Sequence, residues 1–166
     1  MGRIPYTVVN GVKEKHWELR EQLAESSDEE ITKLVLEVLG WEIYEYPDSV
    51  PEQDQHGNNI ESEVSLYGLK NGEGKIYTRG FAFKEDVYKS VNAVTYLFMG
   101  YIMKYLFDND YTFEGHMLGN TVFVYIRKFH DRNKVVNLQI EECNDGIGLT
   151  RALCEALIIF LKEEVK

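Results

Sequence analysis

Val122-Phe-Val-Tyr-Ile126, Phe129-His-Asp-Arg-Asn-Lys134, Val135-Val-Asn-Leu-Gln-Ile140 and Asn144-Asp-Gly-Ile-Gly148 follow one another, and an apolar-striped segment from Leu149 to about Glu164 comes after them. The β-branched runs read as two strands and the polar hexapeptide between them as a tight turn. The glycine segment reads as a loop that opens a helix. Strand, turn, strand, loop, helix is the pattern from which the rest of the chain is placed.

Immediately upstream, Tyr111–Met117 reads as a further strand, joined to Val122 through the turn Leu118-Gly-Asn120. Three strands with short links pair antiparallel as a meander. Before them, Asp86 is expected to cap a long helix from Val87 to about Phe107. Val87, Val91, Val94, Phe98, Tyr101 and Tyr105 recur at spacings of 4, 3, 4, 3 and 4, and Leu97, Ile102 and Leu106 widen the stripe. That width suits a helix lying on a sheet. Thr78–Phe83 and Trp41–Tyr46 read as strands, the latter ended by Pro47.

Asp48 to Gly74 is polar, punctuated by Pro51, Gly57, Gly68, Gly72 and Gly74. A loop is expected there, long for a compact domain. The alternative is a short hairpin from Val64–Tyr67 to Lys75–Tyr77, turning at Asn71-Gly72. Ser27-x-x-Glu30 is a capping box ahead of Ile31, Leu34, Val35, Val38 and Leu39, one stripe of a core-facing helix that Gly40 stops. Val12–Glu25 suits a marginal helix, stable only on a docking surface supplied by the domain or by a second chain. Residues 1–11 read as a tail or a short edge strand.

The fold class that follows is α+β: a mainly antiparallel sheet with helices packed against it, sandwich-like as α/β/α, in the order α-β-(loop)-β-α-β-β-β-α. Residues 1–27 form an N-terminal extension, and 28–166 a single domain with an inserted loop at 48–77.

Composition narrows the function. The net charge of −10 is uneven: residues 1–75 carry 16 acidic against 7 basic side chains, and residues 76–166 carry 12 against 11. Free nucleic acid is a poor partner for such a chain, because phosphate binding needs clustered Lys and Arg. A basic protein surface is a better one. No stretch has the length of a membrane span, and Met1-Gly-Arg-Ile-Pro-Tyr6 lacks a signal peptide's apolar core. Two cysteines, Cys143 and Cys154, make no disulfide framework, so the cytoplasm is expected.

Chemical constellations are sparse. His16, His56, His116 and His130 are scattered without metal-ligand spacing, so no metal and no cofactor is expected. Cys143, between a strand and a glycine loop, has the setting of a reactive thiol but no partner signature, and Cys154 sits in the helix stripe. Gly146 and Gly148 could expose N–H groups to an anion, though a strand-to-helix turn explains them as well. Arg79, Arg127 and Arg132, with Tyr125 and Phe129, are the candidate grip for a phosphate and a planar ring; a solvated sheet rim would look the same. No catalytic residue is assigned.

Ile31-Thr-Lys-Leu-Val-Leu-Glu-Val-Leu-Gly-Trp41 resembles the opening helix of the phage ABA-sandwich domain family, with Gly-Trp leading into the first strand. The Phe-containing strand before a long helix, the meander and Leu149-Thr-Arg-Ala-Leu-Cys-Glu-Ala-Leu157 are similar to that family's second half. The likeness covers Asp28–Tyr46 and Thr78–Glu164, leaving Met1–Ser27 and Asp48–Tyr77 as additions. It implies a small phage or prophage accessory protein in a bacterial host's cytoplasm. Such a protein is expected to be non-enzymatic and to bind and inhibit a host protein, such as a component of antiviral defence. The alternative is a binder that sequesters a nucleotide-derived signalling molecule. A homo-oligomer is left open.

Overall fold

The alternation in Thr121–Lys128 explains the layering around it. The computed structural model describes residues 8–9, 12–13, 16–119, 121–140 and 148–165. In it Val122, Val124 and Ile126 are fully buried, while Phe123, Tyr125 and Arg127 between them are part-exposed. Such a strand has an apolar cover on one face alone.

The elements run β1 (Val8–Val9), β2 (Val12–Lys13), α1 (Trp17–Glu25), α2 (Asp28–Val38), β3 (Glu42–Gln53), β4 (Asn59–Lys70) and β5 (Ile76–Phe81). Then come α3 (Lys84–Ser90), α4 (Tyr96–Asp108), β6 (Tyr111–Leu118), β7 (Thr121–Lys128), β8 (Asp131–Ile140) and α5 (Gly148–Ile159). A π-helical turn, Phe160–Glu164, extends α5. These elements form two compact units, one of Met1–Val38 with Asn92–Lys166 and one of Leu39–Val91. Residues 28–166, read from sequence as one domain, contribute to both. The α+β class and the antiparallel meander β6-β7-β8 are as expected.

In the first unit α5 covers the buried face of β7, and α1 and α2 pack on α5 in turn. Helix α5 is therefore enclosed on all sides: every residue from Thr150 to Ile159 is buried, not one stripe. Enclosure puts Arg151 and Glu155 inside. Arg151 Nη2 donates to the carbonyls of Leu23 (2.9 Å) and Ser26 (2.7 Å), where α1 ends, and Nη1 donates to Asp28, where α2 begins. Its Nε and Nη2 both reach Glu155 Oε1 at 3.3 Å. The cation thus meets the negative end of α1 and the carboxylate that opens α2.

The Ser27 capping box is complete. Glu30 N–H donates to Ser27 Oγ (3.1 Å) and Ser27 N–H to Glu30 Oε2 (3.0 Å). A second tie joins the ends of this unit. His16, in the left-handed region at φ 69°, has Nδ1 against Glu163, and Nε2 lies 2.8 Å from Glu164 Oε1. Both carboxylates sit on the π-helical turn, whose i→i+5 bond from Val165 N–H to Phe160 O measures 3.1 Å.

Two expectations are corrected. The helix expected from Val87 to Phe107 is two helices, because Asn92 competes for the backbone: its side-chain oxygen takes the Val94 N–H (3.2 Å) and its carbonyl the Thr95 hydroxyl (2.9 Å). Thr32 and Cys154 then hold the break, Thr32 Oγ1 accepting from Ala93 N–H (3.3 Å) and Cys154 Sγ donating to Ala93 O (3.5 Å). Residues 48–77 are not a loop. They complete β3 and β4, a hairpin paired over its whole length from Glu42↔Lys70 to Gln53↔Asn59, and enter β5. The turn from β4 to β5 lies at Asn71-Gly72, as the hairpin alternative had it, with Asn71 Oδ1 accepting from Glu73 and Lys75 N–H groups, both at 3.0 Å.

Pro47 misleads as a strand end. Pro47 and Pro51 sit four residues apart on an edge strand, so their ring nitrogens face the same way, and an edge is the place in a sheet where proline is tolerated. In this unit α3 packs on β4 and β5, and the Tyr44 ring lies across Gly68, where a Cβ would come within 2.8 Å of it.

Replacing Arg151 by Met should cost about 3–5 kcal/mol, because it takes the cation away from the buried Glu155 carboxylate, from Asp28 and from the helix-end carbonyls. Urea unfolding would show the loss, and Arg151→Met with Glu155→Gln should recover part of it.

Candidate functional site

The outer face of the β6-β7-β8 sheet carries two of the sequence's candidates, Tyr125 and Arg127. Cross-strand register puts Thr112 opposite Arg127, Glu114 opposite Tyr125 and His116 opposite Phe123. On the other side of β7, Asn137 stands opposite Tyr125 and Val135 opposite Arg127. His116 stacks on Phe123 with centroids 4.9 Å apart and planes 19° from parallel. Arg127 Nε donates to Thr112 Oγ1 at 3.2 Å, which aims the guanidinium along the sheet. A cleft of about 250 Å³ opens here, lined by Glu114, His116, Phe123, Val124 and Tyr125. That volume suits a planar ring or small fragment rather than a drug-sized ligand.

Tyr125 and Arg127 therefore share one surface, joined by His116, Phe123 and Glu114, which sequence reading left out. The missing signal was register: alternation on β7 names the outward positions, but only pairing shows which β6 residues flank them. Phe129 lies at the β7–β8 turn, 55% exposed, with its ring edge-on to His130 at 4.7 Å. Arg132 is on β8, its side chain outside the described residues. Arg79 is in the second unit, exposed on β5 opposite Gly68, and is no part of this sheet. Gly148 is the buried first residue of α5, while Gly146 and Cys143 lie outside the described residues.

The second unit holds a different surface. Strand β5 pairs only with Tyr67–Lys70 of β4, so beyond Tyr46↔Leu66 the β3–β4 hairpin is a two-stranded ribbon. One face carries exposed Glu61 and Glu63 in line with Glu45; on the other, exposed Asp48 and Glu52 stand among part-exposed Tyr46, Val50, Val64 and Leu66 and exposed Ile60, with Ser62 Oγ donating to Glu52. The tip is stiff for a turn. Asp54 Oδ1 accepts from the N–H groups of His56 (2.8 Å) and Asn58 (2.9 Å), and Gly57 takes φ 78°. Those N–H groups, Asn58's first, hold the Asp54 carboxyl below its ordinary value.

Among the described residues no group of three or more His, Cys, Asp or Glu is placed to hold a metal ion, and no helix is long and apolar enough to cross a membrane. Burial, and secondarily the Glu155 carboxylate, pushes the Cys154 thiol far above its ordinary value. In a Cys143→Ser background, Cys154 should therefore react with a thiol reagent only at the rate of unfolding. Fast labelling in native buffer would contradict the closed core around α5.

Compared with protein-family models, curated proteins and solved structures, the chain matches none of them.

Proposed function

We propose that the chain is a non-enzymatic binding protein that engages a basic protein surface through its β3–β4 ribbon. The two-faced ribbon is the observation behind this. Residues 42–70 hold seven carboxylates against one lysine. A two-stranded ribbon gains stability from a cover, and one face of this one leaves Tyr46, Val50, Ile60, Val64 and Leu66 part-exposed or exposed beside Asp48 and Glu52. Carboxylates beside that face would steer a cationic partner and exclude nucleic acid. Pro47 and Pro51 make the β3 edge a poor template for an added strand, which favours a partner that reads side chains. The resemblance to the phage ABA-sandwich domain points the proposal toward a bacterial host factor, such as a component of antiviral defence, bound in the host cytoplasm.

The test is a pull-down from host lysate at moderate salt with the full chain and with Glu45→Lys, Glu61→Lys and Glu63→Lys combined. The wild-type chain should retain a host protein that the charge-reversed chain loses and that rising salt releases. Equal retention by both, or none by either, removes the proposal.

The sheet-face cleft supports a second reading, a binder of a nucleotide-derived signalling molecule, with Tyr125 and Phe123 stacking a base beside Arg127. Calorimetry against cyclic nucleotides and ADP-ribose derivatives should give a saturable signal that Tyr125→Ala reduces by about 1–3 kcal/mol. Silence across that panel ends it.

A further inference from the structure

Helix α4 is apolar on two sides, and among the described residues one of them faces outward. Phe98, Ile102 and Leu106 are buried, and the helix packs on β6. Outward, Tyr96, Leu97, Met103 and Phe107 are exposed, Leu97 at 91% and Phe107 at 82%, while Tyr101 beside them turns its ring to Phe98 at 5.1 Å. Aromatic side chains carry about 150–250 Å² each, so the outward face amounts to on the order of 500 Å². Two such faces together would bury on the order of 1,000 Å², the lower bound for a specific contact and the size of a weak, reversible one.

Charge selects the occupant. The charged residues of α4 are Lys104 and Asp108, and they pair with each other at 2.5 Å. The face is therefore self-neutral on a chain of net charge −10, offering a charged partner nothing complementary. An identical apolar face suits it.

Gly100 supplies a separate observation. A glycine inside a helix is less stable than alanine there, yet a Cβ at Gly100 would meet nothing within 4 Å. The chain's own packing does not need that glycine. It leaves a bare patch of backbone between Leu97 and Met103, where a second helix can approach closely.

We propose that the outer face of α4 is the seam of a homodimer, in which a second copy of α4 crosses antiparallel at Gly100. A two-fold axis at Gly100 sets Leu97 of each copy against Met103 of the other, each three residues from the crossing, as a self-complementary contact requires.

Sedimentation of the full chain over a range of concentrations tests it. The wild-type chain should dimerise reversibly, and Gly100→Leu or Leu97→Glu should weaken the dimer roughly tenfold or more. The decisive variant is Gly100→Ala, which favours the helix of an isolated chain: it should keep the far-ultraviolet circular dichroism and still weaken association. It stays informative if Leu97→Glu fails to fold. A chain that remains monomeric at every concentration overturns the proposal. So does a dimer indifferent to all three substitutions, which would place the contact on another surface.

Discussion

The first unit hangs on one guanidinium. Arg151 sits in a helix enclosed on all sides, where an unpaired charge would be untenable, and it is compensated by groups more than a hundred residues away in sequence. Leu23 O, which also takes the Ser26 N–H at 3.1 Å, and Ser26 O are carbonyls at a helix end, and Asp28 is the acid that the start of the next helix favours. One side chain thus fixes where α1 stops, where α2 starts and how both lie on α5. Hydrophobic burial alone would not settle that registry, because apolar faces slide and a forked donor does not. The His16 contact with Glu163 and Glu164 makes a second junction between the same ends of the chain.

What could be read from sequence was local. The Ser27–Glu30 capping box, the alternation of β7, the meander and the Asn71-Gly72 turn are each written within a few residues of where they act. The break in the helix after Val91 was not legible, because the side chains that hold it, Thr32 and Cys154, come from distant elements. Nothing near Arg151 in sequence marks it as buried, for the same reason: its partners at Leu23, Ser26 and Asp28 are more than a hundred residues away. The β3–β4 ribbon was hidden differently: Pro47 and Pro51 look like strand breakers unless the strand is known to be an edge, and edge status belongs to the sheet and not to the segment.

The candidate surfaces divide along the same line. Tyr125 and Arg127 could be paired because they sit two apart on one strand, and a period of two fixes their common face. His116, Phe123 and Glu114 complete that face through register with β6, which no local pattern announces. Arg79 looked equivalent to Arg127 as a basic residue near an aromatic, but it belongs to another sheet in another unit. The outward face of α4 was present in the sequence as extra width of an apolar stripe. Width alone does not distinguish a helix deep in a core from one covered on a single side.

The division into units bears on the order in which a nascent chain acquires structure. Leu39–Val91 is continuous in sequence, whereas the other unit is assembled from segments on both sides of it. Synthesis proceeds at ~5–20 residues per second, and domains fold as their last residues emerge. The inserted unit can therefore close while the helices before it still lack α5, the element on which they pack. Until Arg151 emerges, the acceptors it takes on Leu23, Ser26 and Asp28 lack the cation that joins them. The N-terminal helices are thus made early and anchored late, and that interval is when the chain is most open to proteases and chaperones.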